Sequence, residues 1–255
     1  MKLIGKNALV TGSSQGIGQA IVLKFAEEGA NVVVDYVTHP DTAKETVQLA
    51  EKFGRRAVAV QGNISKVADA KRVVQESVEA LGGLDILVNN AGVERRAPFW
   101  EVTEADYDLV LDVNLKGAFF TTQAFVQHRL AVKQPGKVIN VSSVHEELPF
   151  PHFTSYCASK GGMKMVTRNL SIELAPFGIT INNIAPGAIE TPINRALLNN
   201  PAELKALLDN IPLGRLGKTS DVAGAAVFLA SSDSDYITGT TIVVDGGLTW
   251  NYSEQ

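Results

Sequence analysis

Tyr156 and Lys160 stand four residues apart at the start of a stretch that reads as a helix, so both side chains project from one face. A free phenol, with a pKa of about 10, is a poor base at neutral pH. An ammonium group on the same face favours the phenolate and lowers that value, which makes the pair a candidate proton donor and acceptor. The spacing alone recurs by chance on surface helices. Ser143 adds a third group. It ends the β-branched run Ile139-Asn140-Val141-Ser142-Ser143, and the C-terminal ends of parallel strands face the crevice where ligands bind. A hydroxyl there can hydrogen-bond a substrate oxygen while its charge changes. Ser142 competes for that role, but strand alternation turns it to the opposite face.

A second constellation precedes these residues. A predicted strand runs straight into Thr11-Gly12-Ser13-Ser14-Gln15-Gly16-Ile17-Gly18, and a predicted helix follows. Gly12 permits a tight turn, Gly16 lets the backbone approach a pyrophosphate, and Gly18 allows close helix packing. The helix N-terminus adds free N–H groups and a partial positive charge. A plain connecting turn is the competing reading, and the flanking strand and helix are the context that favours the phosphate loop. Asp35 ends the second predicted strand, 17 residues beyond Gly18. A carboxylate there would accept from the ribose hydroxyls of a dinucleotide and repel a 2′-phosphate, which favours NAD and leaves NADP possible. Nothing basic sits in the loop, and Val37 follows closely.

The elements that must position these groups alternate along the chain. Short apolar runs at 8–11, 32–36, 57–61, 86–89, 138–142, 180–185 and 241–244 predict strands buried on both faces. Helical patterns fall at 17–28, 41–53, 67–81, 104–114, 118–132, 156–175 and 221–229. Gly29, Gly54 and Gly82 stand where left-handed C-terminal residues are useful, and Thr103 and Ser220 where N-caps are wanted. The alternation predicts an α/β fold: a Rossmann-type, doubly wound parallel sheet of about seven strands with helices on both faces. No linker divides the chain, so 1–255 reads as a single domain. Residues 190–212 hold Thr191-Pro192 and Asn199-Asn200-Pro201, and read as a helical, lid-like insertion over the crevice.

Composition narrows the function classes. A formal charge of −4 gives no basic field for nucleic acid or anionic lipid, so a small-molecule substrate is expected. No apolar window approaches the ~18 residues that would span a membrane, and no signal peptide opens the chain. The lone Cys157 excludes an internal disulfide and reads as a small packed residue on its helix. A cytoplasmic location follows as the expectation. His39, His128, His145 and His152 show no ligand spacing, so no metal is expected.

The GxxxGxG spacing resembles the short-chain dehydrogenase/reductase family, and further segments strengthen the likeness. Asn89-Asn90-Ala91-Gly92 follows the fourth strand, Pro186-Gly187 the sixth, and Ser143 precedes Tyr156 by 13 residues. The resemblance spans essentially the whole chain. It implies a cofactor site along Gly12, Ser14, Gln15, Gly16, Ile17, Gly18, Asp35, Tyr36, Asn63, Ile64, Asn90, Ala91, Gly92, Pro186, Gly187, Ile189 and Thr191, together with Tyr156 and Lys160. Thr191 falls where relatives hydrogen-bond the nicotinamide carboxamide. Two positions depart from the family pattern: its NAD-selecting Asp more often stands where this chain has Tyr36, and Asn63 replaces an Asp. The Asn63 side-chain carbonyl would still accept from the adenine amino group. Asn114 matches the position that holds a water linking Lys160 to solvent. The implied reaction needs no metal: Tyr156 takes a hydroxyl proton while hydride passes to the nicotinamide, Ser143 positions the oxygen, and Lys160 orients the ribose.

Decoration around the centre resembles the bacterial glucose 1-dehydrogenases of that family. The likeness lies in Gly92-Val93-Glu94, in 144–149 and in 182–194. It implies oxidation of a sugar hydroxyl, C1 of β-D-glucose to the lactone, with Glu94, His145 and Asn194 beside Ser143 and Tyr156 around the substrate. Each buried sugar hydroxyl left unpaired costs about 1–3 kcal/mol, so several polar partners are required. The likeness also implies a homotetramer with Trp250 and Tyr252 packed across subunits. The alternatives are a 3-oxoacyl-thioester or general carbonyl reductase using NADPH, with Arg95, Arg96 and Arg129 facing an acidic carrier, and a non-catalytic dinucleotide sensor. Asp35 argues against the first, and retention of both Tyr156 and Lys160 against the second.

Overall fold

The computed structural model describes residues 1–192 and 200–251. Asn194, Asn199 and Tyr252 lie outside the described residues. Seven parallel strands make one sheet in the order β3-β2-β1-β4-β5-β6-β7. The strands are β1 (Asn7–Val10), β2 (Asn31–Tyr36), β3 (Ala57–Gln61), β4 (Ile86–Asn89), β5 (Gly136–Val141), β6 (Ile179–Pro186) and β7 (Thr241–Val244). The helices are α1 (Gly16–Glu27), α2 (Pro40–Glu51), α3 (Val67–Leu81), α4 (Glu104–Leu111), α5 (Ala118–Val132), α6 (Thr154–Leu174), α7 (Pro201–Asp209) and α8 (Thr219–Ala230). No helix among the described residues is long and apolar enough to cross a membrane.

Strand alternation divides the core into two layers. Ala8, Val10, Val32, Val34, Ile86 and Val88 pack with Ile21, Val22 and Phe25 of α1 and Val222 and Ala226 of α8. Their neighbours Leu9, Val33 and Leu87 face the other way, against Val73 and Val74 of α3, Phe125 of α5 and Leu174 of α6. Both faces of the central strands are therefore dry, which is why those strands read as unbroken apolar runs. The order reverses between β1 and β4, and that switch point opens a crevice beyond the strands' C-terminal ends.

Local chemistry moves several predicted boundaries. Six of the seven strands match within one residue at each end; β5 starts two residues earlier than predicted. The helix expected at 104–114 ends as an α-helix at Leu111 and continues as a π-helical turn, Asp112–Gly117, directly into α5. Periodicity cannot show such a turn, because it adds one residue without interrupting the helical pattern. Thr103 is the N-cap of α4, its side chain accepting from Asp106 N. Ser220 is not a cap. The N-cap is Lys218, whose backbone N–H donates to Asp221 Oδ2 at 2.8 Å. Within 190–212, Asn200 caps α7 by accepting from Glu203 N, and just beyond that stretch Leu213 N donates to Gly246 O at 3.1 Å.

Candidate active site

The loop after β1 is shaped by what its glycines exclude. A Cβ on Gly12 would lie 2.8 Å from Ala91 Cα, and one on Gly18 would lie 2.8 Å from Ser13 Cα and 2.4 Å from Asn90 Nδ2. Gly16 shares a positive φ with Gly12 (+62° and +58°), but a Cβ there would meet only an ordinary contact among the described residues, Pro192 Cδ at 3.8 Å. Gln15 caps α1 without a side-chain hydrogen bond, and the first turn of α1 carries no acidic residue. The N–H groups of that turn are therefore free for an anion, and the loop fits a pyrophosphate. Ser14 is buried, Ile17 half-buried and Gln15 exposed along the same rim.

Asn90 and Ala91 brace this loop from β4. Asn90 Nδ2 donates to Thr11 O (2.9 Å) and Gly12 O (3.0 Å), and the N–H groups of Asn90 and Ala91 both donate to Thr11 Oγ1. Asp35 braces it from β2. The sequence aims this carboxylate at a ribose, but the fold turns it inward: it is 1% exposed, and Oδ2 accepts from Gly12 N at 2.9 Å. Oδ1 is buried without a hydrogen-bond partner. Burial raises the Asp35 carboxyl to about 7, against the pull of the Gly12 N–H.

Beyond β2 and β3 lies a cavity of about 350 Å³ lined by Val37, Gln61, Gly62, Asn63, Asp69, Arg72 and Glu76. Arg72 is paired with Asp69 (3.2 Å) and Glu76 (2.9 Å). Asn63 Oδ1, expected to accept from adenine, accepts instead from Ser65 N and Ser65 Oγ. Tyr36 is half-buried at the end of β2, and Ile64 is buried against Gly117. On the far side of the crevice Pro186 ends β6, and a Cβ on Gly187 would meet Asp245 Cβ at 2.7 Å. Ile189 pairs with Gly217 in an isolated bridge, and Thr191 Oγ1 donates to Ile189 O at 3.4 Å.

The structure brings Ser143, Tyr156, Lys160 and Asn114 together. Ser143, 6% exposed, accepts at Oγ from His145 N (3.1 Å). Tyr156 occupies the first turn of α6, and Lys160 follows it one turn later with Nζ 5.6 Å from the phenol ring centroid. Lys160 is 3% exposed, and its Nζ donates to Val141 O at 2.8 Å. Burial pulls its ammonium down to about 8, opposed by the Glu146 carboxylate. Burial pushes the Tyr156 phenol up to about 12, with Ser143 pulling the other way and the Glu94 charge adding to the rise. The chain alone therefore keeps Tyr156 protonated, contrary to the lowering expected from Lys160. The ammonium lies over the ring face and toward a strand carbonyl, where desolvation outweighs it.

Asn114 owes its place to the π-helical turn. It is fully buried there, with Oδ1 accepting from Val93 N (2.8 Å) and Nδ2 donating to Val93 O (2.9 Å) and Ser159 Oγ (3.1 Å). One amide thus joins the loop after β4 to α6. A Cβ on Gly92 would fall 3.5 Å from Asn114 Oδ1 and 3.8 Å from Lys160 Nζ. Glu94 is half-buried two residues on, and burial raises its carboxyl above the usual range. His145 stacks on Phe150 at 4.1 Å and stands edge-on to Tyr156 at 6.3 Å. Phe150 stacks in turn on Phe153, an aromatic wall that pattern reading of the loop did not foresee.

The family model described as enoyl-(acyl carrier protein) reductase matches residues 12–249. 3beta-Hydroxysteroid dehydrogenase 1 of Eggerthella lenta is 44% identical over 247 residues, 97% of this chain and 95% of its own length. Glucose 1-dehydrogenase of Gluconobacter oxydans is 42% identical over 248 residues, 97% of this chain and 93% of its own. The crystal structure of a gluconate 5-dehydrogenase from Burkholderia cenocepacia J2315, in complex with NADP and tartrate, superposes with a TM-score of 0.93 at 37% identity, covering 98% of each chain.

Proposed function

The chain belongs to the short-chain dehydrogenase/reductase family of NAD(P)-dependent oxidoreductases, and on that premise we propose that it oxidises a carbohydrate hydroxyl, with C1 of β-D-glucose as the first candidate. The carrying observation is that His145 stands edge-on to Tyr156 at 6.3 Å, while Glu94 lies half-buried in the segment that Asn114 ties to α6. A polyhydroxylated substrate needs such partners, because its hydroxyls must exchange water for protein hydrogen bonds.

Tyr156 receives the hydroxyl proton and Ser143 holds the oxygen from which it leaves. Lys160 stands as a fixed cation beside the phenol, and Asn114 keeps the Gly92–Glu94 segment against α6. Bound in the crevice, the oxidised nicotinamide supplies a hydride acceptor and a positive charge. Burial holds the phenol at about 12 in the chain alone, and a cation bound beside it would favour the phenolate. NAD is the preferred form in this reading, since the cation lining the cavity beyond β2 and β3 is already paired with two carboxylates. A homotetramer belongs to the same reading, supported by the exposed apolar side chains Ile172 of α6 and Trp250 near the C-terminus.

A sterol hydroxyl is the second reading, favoured by the His145–Phe150–Phe153 stack and by the relative from Eggerthella lenta. Absorbance at the reduced-nicotinamide band separates the two. The assay runs D-glucose, D-gluconate and a 3β-hydroxysteroid, each with NAD and with NADP, and an acetoacetyl thioester with NADPH. Reduction with glucose and NAD is expected. Turnover confined to the steroid, or oxidation of NADPH by an acetoacetyl thioester alone, would overturn the carbohydrate reading.

A further inference from the structure

Asn89, Asn140, Asn183 and Thr241 meet at one register across β4, β5, β6 and β7. Their side chains form a buried row. Asn89 Nδ2 donates to Asn140 Oδ1 (2.8 Å), Asn140 Nδ2 to Asn183 Oδ1 (3.2 Å), and Asn183 Nδ2 to Glu146 Oε2 (3.1 Å). All three amides point the same way, so their dipoles add and present a positive end to the Glu146 carboxylate. Thr241 Oγ1 donates to Glu146 Oε1 (2.7 Å), and Lys164 Nζ lies 3.6 Å from that oxygen. The Glu146 side chain is 2% exposed. It ends the short helical turn Val144–Glu146 that begins immediately after Ser143.

We propose that Glu146 is a positioning residue of the reaction, a buried carboxylate that docks the turn after Ser143 onto β6 and β7 and supplies the negative charge facing the Lys160 ammonium. The proposal rests on Tyr156 and Lys160 being the reacting pair. A carboxylate left in a dry core without purpose is costly, and an apolar side chain in the same space would pack without that cost. Here three elements converge on one residue, and Glu146 is the charge that opposes the burial of Lys160. The charged groups around it are few. Lys164 approaches it from α6, Lys160 stands one turn earlier on that helix, and a Cβ on the intervening Gly161 would fall 4.0 Å from Glu146 O. His145 and Glu147 share or adjoin its own turn, and Glu147 is paired with Lys164. β6 and β7 bring only the neutral Asn183 and Thr241. Around Lys160 the set is completed by Tyr156 and by Glu94 beyond it.

Removing the carboxylate should let Lys160 lose its proton at lower pH. The direct test is carbon NMR of Cε-labelled lysines during a pH titration of the ligand-free protein, with the Lys160 signal assigned by its absence in Lys160→Met. In Glu146→Gln the Lys160 midpoint is expected to fall by about half a unit to one unit, and in Glu146→Asp to return toward the original value. The alkaline limb of kcat/KM for D-glucose and NAD should move down with it. Should Glu146→Gln fail to fold, because Lys164 loses the buried one of its two carboxylates, the same substitution in a Lys164→Met background must still lower the midpoint relative to Lys164→Met alone. A melting temperature that falls while the midpoint stays fixed would mark Glu146 as structural only and overturn the proposal. Undiminished turnover in Tyr156→Phe would instead sink the reacting-pair reading, without touching the NMR result.

Discussion

The two halves of the sheet build their shares of the crevice from different materials. Around β1, β2 and β3 the ligand-facing surface is backbone: glycines that exclude a Cβ, the free N–H groups of α1, and a carboxylate turned inward to hold Gly12. Around β4 to β7 the crevice is built from side chains, Ser143, Tyr156, Lys160 and Asn114, and a buried amide row that ends on Glu146 lies behind them. The first half recognises a shape common to many ligands, since any pyrophosphate meets the same N–H groups. The second half places individual atoms, and its tolerance to substitution is correspondingly narrow.

Four substitutions probe that division, beginning with the largest effect. Tyr156→Phe should lower kcat by about 10³ while the Kd of the reduced cofactor, followed by its fluorescence, changes little. A matched loss of cofactor affinity would mean that the two halves are not separable. Gly18→Ala should weaken cofactor binding by about 30-fold or more, because its Cβ meets backbone at 2.8 Å. Gly16→Ala meets only an ordinary contact among the described residues and carries mainly the cost of a positive φ, about 1 kcal/mol. Equal losses in the two alanine variants, read by the same titration, would remove the steric basis of the loop. Asn183→Leu interrupts the amide row and leaves Asn140, Thr167 and Glu146 short of partners. A loss of about 2 kcal/mol in urea unfolding is expected, with cofactor affinity retained.

A fifth substitution, Asp35→Asn, has an effect that depends on pH. The folded chain holds the Asp35 proton up to about 7, whereas an unfolded chain releases it near the ordinary carboxylate value of 3.8. Between those values the folded state binds the extra proton, so this residue's contribution to stability falls as pH rises. The amide removes that dependence, although it weakens the bond to Gly12. Thermal unfolding should find the variant more stable than the parent at pH 8 by about 1–2 kcal/mol, with the advantage gone near pH 4. A constant difference across that range would mean that Asp35 is charged in the fold throughout.

The same division explains how much could be read in advance. Strands and most helices were legible because burial on two faces leaves unbroken Val, Ile and Leu runs, and glycine spacing announces a backbone-lined loop. Ser143, Tyr156 and Lys160 were legible from spacing on a strand end and one helix face. The orientation of Asp35 was not, because a strand-end carboxylate can turn toward ligand or toward loop with no trace in the pattern. Likewise, Asn63 presents its carbonyl to Ser65 through a local turn that propensity does not distinguish from an open one. The amide row depends on register among four strands far apart in the chain, and neither Asn183 nor Glu146 carries a sign of it.

The π-helical turn at Asp112–Gly117 makes residue number itself a constraint. An α-helix advances about 100° per residue, so shedding one residue there would rotate α4 by that angle about the axis of α5. Asn114 could not then reach both Val93 and Ser159. Substitutions can accumulate on the outer face of this helix, but insertions and deletions within it should be excluded, so that its length would outlast its composition during divergence.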